Sequence, residues 1–381
     1  MNTYFDNSGT SFPKPPQVAE AIAHYLTHEG GTYGRAAYPR VFSATAKVEN
    51  CRDLLAQQLG VGDPAHLSFT ASSTLALNTL IKGLDWKRKV QEGKRRVLVS
   101  PLEHNAVMRP LTRLSHELGL QLEHLPALKD GSIDVAALSK VPRDGIALVV
   151  VNHQSNVSGL IQPLAEIGSW CAEIPFLVDG SQAVGHFPMQ LEDWGVDFYA
   201  FTAHKGLLGP TGLGGFYARE PDLLQTLIEG GTGSASDSYD MPLSMPDRFQ
   251  AGTPNMVGIV GLLAALEHAP LPDSAQQAQW WQLIEHLRTL PAYRVLSADQ
   301  AAQQGSAFSV VHQHKSPSEL AQKLFDDFGL EVRPGLHCAP AAHRFYQSWP
   351  QGSTRFALSV YHSAAELDYL ARALEKLAQP W

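Results

Sequence analysis

The stretch GIALVVVN, residues 145–152, carries no polar side chain before its final asparagine. A strand with one wet face alternates apolar and polar residues, so an unbroken apolar run of this length predicts a strand covered on both faces. Similar runs lie on either side: HLSFT (66–70), RRVLVSP (95–101) and PFLVDG (175–180). Between them stand segments of helical period, TLALNTLIKGL (74–84), AVMRPLTRLSHEL (106–118) and LAEIGSWCAE (164–173). Buried strands alternating with amphipathic helices predict an α/β fold with a mainly parallel sheet and helices on both faces. DFYAFTAHK (197–205) and GGFYAR (214–219) read as two further strands joined by the glycine-rich GLLGPTGLG, where the sheet gains its last strands.

Past Gly252 the pattern changes. A helix VGIVGLLAALEH is followed by a polar stretch around PDSAQQAQ, then by strands AFSVVHQ and STRFALSVY mixed with helices PSELAQKLFDDF and AAELDYLARALEKL. This predicts a smaller α+β domain. The proline-rich SFPKPPQV leads into the first long helix and is expected to pack on that second domain. The expected division is a large domain over 16–252 and a small one built from 1–15 and 253–381.

The composition narrows the class. A chain of 381 residues can bury a substantial core, and 44% hydrophobic with 17% charged residues is ordinary for a globular protein. A net charge of −8 with no long basic block argues against nucleic acid or an anionic membrane as partner. Three scattered cysteines, Cys51, Cys171 and Cys338, suit a reducing compartment rather than a disulfide framework. The start of the chain lacks the pattern of a secretory leader and no run spans a bilayer, so a cytoplasmic protein is expected. The histidines show no metal-ligand spacing, and no metal is expected.

Ligands of open parallel sheets bind beyond the carboxyl ends of the strands. Ser73 and Thr74 follow HLSFT at a helix start, as ordinary capping residues or as phosphate ligands. Asp179 ends FLVD; it either bonds local backbone or faces a protonated ring nitrogen. Asn156 is either a turn residue or a donor to a ligand oxygen. Lys205 ends a strand before a glycine-rich turn, either solvated or, if enclosed, with the lowered pKa that Schiff-base formation requires. Cys338, in RPGLHCAPAAH (333–343), sits among chain-bending residues rather than in an apolar run, the placement of an exposed, positioned thiol.

Taken together and in order, YFDNSGTSFPKP, FTASSTLALN, PLEHNAVMRP, NVSGLIQPL, VDGSQAVGH, TAHKGLLGPTGLG, FQAGTPN, VRPGLHCAP and STRFALSVY span nearly the whole chain. The chain resembles the class V aminotransferase-fold enzymes, specifically the short-loop group of cysteine desulfurases and selenocysteine lyases. The resemblance implies fold type I of the pyridoxal-phosphate-dependent transferases, with Lys205 as the lysine that carries pyridoxal 5′-phosphate and Asp179 paired with its ring nitrogen. It further implies that Ser73, Thr74, Thr202 and His204 hold the phosphate, that His104 stacks on the ring, and that Asn156 and Gln182 contact its oxygen side. By the same resemblance Thr253 reaches the phosphate of a neighbouring subunit in a homodimer, and Arg355 grips the substrate α-carboxylate. Arg333 matches a second arginine near the thiol, Asn156 also faces substrate, Lys205 and His104 are the proton carriers, and Cys338 accepts sulfur from L-cysteine, or selenium from selenocysteine, for a possible acceptor protein. The competing expectations are a lyase or aminotransferase-like enzyme acting on another amino acid, with Cys338 incidental, and a non-catalytic binding protein on the same fold.

Overall fold

The valine run forms an interior strand of the large sheet, with a neighbour on either side. The computed structural model describes residue 1, residues 3–34 and residues 36–379. Seven strands, β1 (Leu67–Thr70), β2 (Arg96–Val99), β3 (Gln121–His124), β4 (Ile146–Asn152), β5 (Phe176–Asp179), β6 (Phe198–Thr202) and β7 (Gly214–Ala218), lie in the order β1-β7-β6-β5-β4-β2-β3. β6, β5, β4, β2 and β3 run parallel; β7 is antiparallel to both of its neighbours. The last strand along the chain is therefore inserted beside β6, and the first, β1, forms an edge. Along β4 the side chains divide between two cores: Val149 and Val151 pack on one face of the sheet, Leu148 and Val150 on the other. That double burial is why the run shows no alternation.

The C-terminal part holds a four-stranded antiparallel sheet in which β8 (Tyr293–Leu296), β9 (Ala307–His312), β10 (Arg333–Gly335) and β11 (Ser353–Ala357) lie in the order β10-β11-β9-β8. Its core, including Trp280, Phe308 and Phe356, is filled by the helices Ser274–Arg288, Pro317–Phe328 and Ala364–Ala378. The stretch around PDSAQQAQ is not a polar connection. It opens the first of these helices, capped where the Asp273 carboxylate accepts from Ala275 N at 2.9 Å, and the buried Gln276 donates to Ser359 O and His362 O. The opening segment of the chain pairs with the small sheet: Phe5 N donates to Glu331 O at 2.8 Å and Ala357 N to Phe5 O at 2.7 Å. No helix among the described residues is long and apolar enough to cross a membrane.

Candidate active site

Beyond the carboxyl ends of the parallel strands lies a cavity of about 250 Å³. Its wall brings together Ser73, Thr74, His104, Asn156, Asp179, Gln182, Thr202, His204 and Lys205. One side is the start of the helix Ser73–Gly83. Its N-cap is Ser72, whose hydroxyl accepts from Leu75 N at 3.2 Å, so Ser73 and Thr74 occupy the first turn instead of capping it. Their own hydroxyls make no hydrogen bond with a described residue, and the turn's backbone N–H groups suit an anion. Gly214 of β7 makes this approach possible: a Cβ there would lie 2.7 Å from Ser73 N.

Asp179, the last residue of β5, is buried. Its Oδ1 accepts from Ser181 N at 3.0 Å and from Ser181 Oγ at 2.5 Å, which fixes the carboxylate and leaves Oδ2 without a hydrogen bond. Lys205 follows β6, half-buried in the cavity wall, with no hydrogen bond or ion pair from its amine to any described residue. Burial pushes its pKa down to about 8, against the pull of Asp179 and with Arg355 and Arg333 adding repulsion. The preceding His204 is anchored through its carbonyl, which accepts from Ser11 N at 2.9 Å and from the hydroxyls of Thr10 and Ser11 at 3.1 Å. Its ring Nδ1 is buried without a partner.

His104 caps the helix Asn105–Leu118, its Nδ1 accepting from Ala106 N at 3.0 Å. Burial lowers its pKa to about 4 despite Asp179 nearby. The ring is therefore neutral with its proton on Nε2. Behind it the fully buried Glu103 was not singled out from the sequence. Ser100 Oγ stands 2.6 Å from Glu103 Oε1 and 2.9 Å from Asn152 Oδ1, two acceptors for one hydroxyl proton. Burial pushes the Glu103 carboxyl up to about 8. A neutral acid here would supply the missing proton, Glu103 donating to Ser100 and Ser100 to Asn152, a residue of the cavity wall.

Cys338 is exposed. It and His337 both hold positive φ, 56° and 50°, a strained conformation for residues other than glycine that persists where surroundings enforce it. The enforcing contacts come from the cavity rim: Asn156 Nδ2 donates to His337 O at 2.7 Å, and Asn105 N to Cys338 O at 2.8 Å. Below the turn, His337 Nε2 lies 3.2 Å from Ser353 O of β11. Gln182 Nε2 donates to Ser8 O at 3.0 Å, and the buried Thr202 Oγ1 reaches Leu213 O.

Besides Cys338, three predicted residues lie off the cavity wall. Arg355 is buried in β11 and paired with Asp6. Arg333 is its register partner on β10 and is exposed. Thr253 lines a second cavity of about 430 Å³ that shares Ala71 and Leu213 with the first, so the fold of this chain does not bring it to the wall that holds Ser73, Thr74, Thr202 and His204. The residues that escaped sequence reading, Ser72, Glu103, Asn152 and Asp6, sit beside residues that it found. For Ser72, Glu103 and Asn152 the signal was position at or just past a strand end; Asp6, in the opening segment, had none.

The family model described as Aminotransferase class-V matches residues 3–370. The chain belongs to this family. Among relatives of class V, the probable cysteine desulfurase of Pyrococcus abyssi is 32% identical over 391 residues, covering 99% of this chain and 94% of that protein. The cysteine desulfurase of Escherichia coli is 31% identical over 388 residues, covering 98% and 93%. The solved apo structure of cysteine desulfurase from Thermococcus onnurineus superposes with a TM-score of 0.88 at 30% identity, covering 98% of this chain and 94% of that one.

Class V enzymes use pyridoxal phosphate, and the cavity fits it. The unpartnered His204 Nδ1 and the unengaged hydroxyls of Ser73 and Thr74 suit a phosphate, the free Oδ2 of Asp179 suits a ring nitrogen, and the unpaired Lys205 amine suits a carbonyl carbon.

Proposed function

We propose that this chain is a cysteine desulfurase that converts L-cysteine to L-alanine and leaves the sulfur as a persulfide on Cys338. The observation that carries the reading is the strained, exposed Cys338 turn tied by Asn156 and Asn105 to the rim of the cavity that contains Lys205 and Asp179. Pyridoxal phosphate, when bound, withdraws electrons from the substrate, making Cα acidic and the Cβ–S bond labile. In this reading Ser73, Thr74, Thr202 and His204 hold its phosphate, Asp179 its ring nitrogen, Lys205 its carbonyl carbon, and Asn156 and Gln182 its oxygen side.

A pKa near 8 lets Lys205 Nζ take a proton from substrate Cα and return one to Cβ near neutral pH. His104 orients rather than titrates: Nδ1 is committed to Ala106 N, and Nε2 carries a proton that the low pKa keeps in place. Cys338 Sγ attacks the substrate sulfur. The Sγ–S bond forms as Cβ–S breaks; of the two thiol protons one stays on the persulfide and the other is available to Cβ, and Cα regains the proton it lost, which completes alanine. Arg355 receives the α-carboxylate, with Arg333 as the outer cation.

Selenocysteine, which presents selenium in place of sulfur, is proposed as an alternative substrate. The exposed thiol suits an acceptor protein, and the exposed Thr253 in an adjoining cavity suits a homodimer that shares its sites. Three free cysteines suit a cytoplasmic setting. The domain division at residue 252 is likewise proposed, on the strength of the two separate sheets. The test is alanine release from L-cysteine with added thiol reductant. Cys338→Ala and Lys205→Ala should each abolish it; full activity in Cys338→Ala rules out the persulfide reading.

A further inference from the structure

Arg355, read above as the grip for the substrate carboxylate, does not face an open site. It is 2% exposed and absent from the cavity wall. Its Nη2 donates to Asp6 Oδ1 at 2.6 Å and its Nη1 to Asn156 O at 3.1 Å, while Nε is buried with no partner. A buried guanidinium needs a counter-anion, because removing one partner of such a pair leaves an uncompensated charge in a medium of low dielectric. Asp6 fills that role.

Asp6 lies beside the arginine and directly behind Gly9 of the cavity wall. Its backbone is fixed against β11, where Phe5 O accepts from Ala357 N and Asn7 Nδ2 donates to Ala357 O at 3.0 Å. Its carboxylate is the less enclosed partner, with the side chain 25% exposed. Gly9 lines the cavity and packs so closely on this carboxylate that a Cβ would lie 2.8 Å from Asp6 Oδ2. Asn156, whose carbonyl holds Nη1, lines the same cavity. The arginine is therefore one layer behind the wall, and the group covering its charge is itself a carboxylate.

We propose that Asp6 is a built-in stand-in for substrate: it holds Arg355 closed in the free enzyme, and the α-carboxylate of the incoming amino acid takes its place. This rests on the reading of Arg355 as the carboxylate grip. The exchange trades one carboxylate for another around the same guanidinium, so its net free energy is small and the site responds only to ligands that bring the anion. An amine or thiol without a carboxylate leaves Asp6 in place. Asp6 acts through Arg355 and is a positioning residue.

The test compares wild-type holoenzyme with Asp6→Asn, which keeps the shape and one hydrogen-bond acceptor but removes the charge. KM and kcat for alanine release from L-cysteine are measured alongside inhibition by 3-mercaptopropionate, which has carboxylate and thiol but no amine, and by cysteamine, which has amine and thiol but no carboxylate. If the closed state holds about nine molecules in ten, its loss tightens apparent binding about tenfold. The expected result is a KM for L-cysteine and an inhibition constant for 3-mercaptopropionate each lower by about that factor, with cysteamine unchanged. Gly9→Ala, which crowds the Asp6 carboxylate without altering charge, should shift both in the same direction. An unchanged or raised KM in Asp6→Asn together with unchanged 3-mercaptopropionate inhibition in Gly9→Ala overturns the exchange, as does an equal effect on cysteamine. Arg355→Gln separates the two layers. If it weakens L-cysteine and 3-mercaptopropionate while the Asp6 and Gly9 variants change nothing, the grip stands and the exchange falls; if it changes neither ligand, both fall.

Discussion

Glu103→Gln tests the protonation state of the layer behind the cavity. The carboxyl moves from an ordinary 4.5 to about 8, mainly through burial. The sign follows from linkage: above pH 4.5 the unfolded chain has released this proton while the folded chain keeps it until about 8, so raising the pH through that window favours unfolding. The slope is about 1.4 kcal/mol per pH unit, and the full cost above pH 8 is on the order of 5 kcal/mol. Glutamine does not titrate. Stability of the variant relative to wild type should therefore rise with pH, by roughly 3 kcal/mol between about pH 5.5 and 7.5, and then level off.

A constant offset accompanies this. The glutamine oxygen can accept from Asn152 N as Glu103 Oε1 does at 2.6 Å, but cannot also donate to Ser100 Oγ. One bond in the Ser100–Asn152 chain is lost, at about 1 kcal/mol and independent of pH. The slope, not the offset, is the readout. Thermal midpoints of the two holoenzymes across this pH range measure it, and a carboxylic-acid C=O infrared band present in wild type and absent in Glu103→Gln reports the proton directly. A stability difference flat with pH, with no such band, would mean that Glu103 is ionised and that the single Ser100 proton is shared between two acceptors, refuting the neutral-acid chain.

Two further outcomes are expected. Asn156→Ala removes the donor to His337 O and leaves a buried carbonyl unpaired, a local cost of about 1–3 kcal/mol; amide hydrogen exchange over Leu336–Ala339 should accelerate as alanine formation falls, and unchanged exchange would show that the turn is held by other contacts. Burial that lowers Lys205 to about 8 predicts that apoenzyme takes up pyridoxal phosphate faster as pH rises through about 8, half the amine being neutral there, and that the rate levels off about one unit above; a rate still climbing steeply near about pH 10 would place the amine in water.

What the sequence disclosed and what it withheld divide along contact distance. Strand β4, Asp179 and Lys205 were legible because burial on two faces and position at a strand end are local properties, written in consecutive residues. β8 was not. Only Tyr293 and Leu296 of its four residues are buried, and Arg294 points outward, so a strand this short carries no periodicity to read. The site itself was read as a set of separate roles, and the structure adds what couples them across the chain. Asp6 meets Arg355 across 349 positions, and Asn156 meets His337 across 181. Neither pairing has a spacing signal, since loop closure of such length leaves no local trace. Yet these two contacts converge on one residue: Asn156 gives its side-chain amide to the turn that bears Cys338 and its carbonyl to Arg355. If Arg355 grips the substrate carboxylate and Cys338 accepts sulfur, as proposed above, a shift of Arg355 when its counter-anion changes would pull on the same residue that holds the Cys338 turn, and filling the grip would be coupled to positioning the thiol.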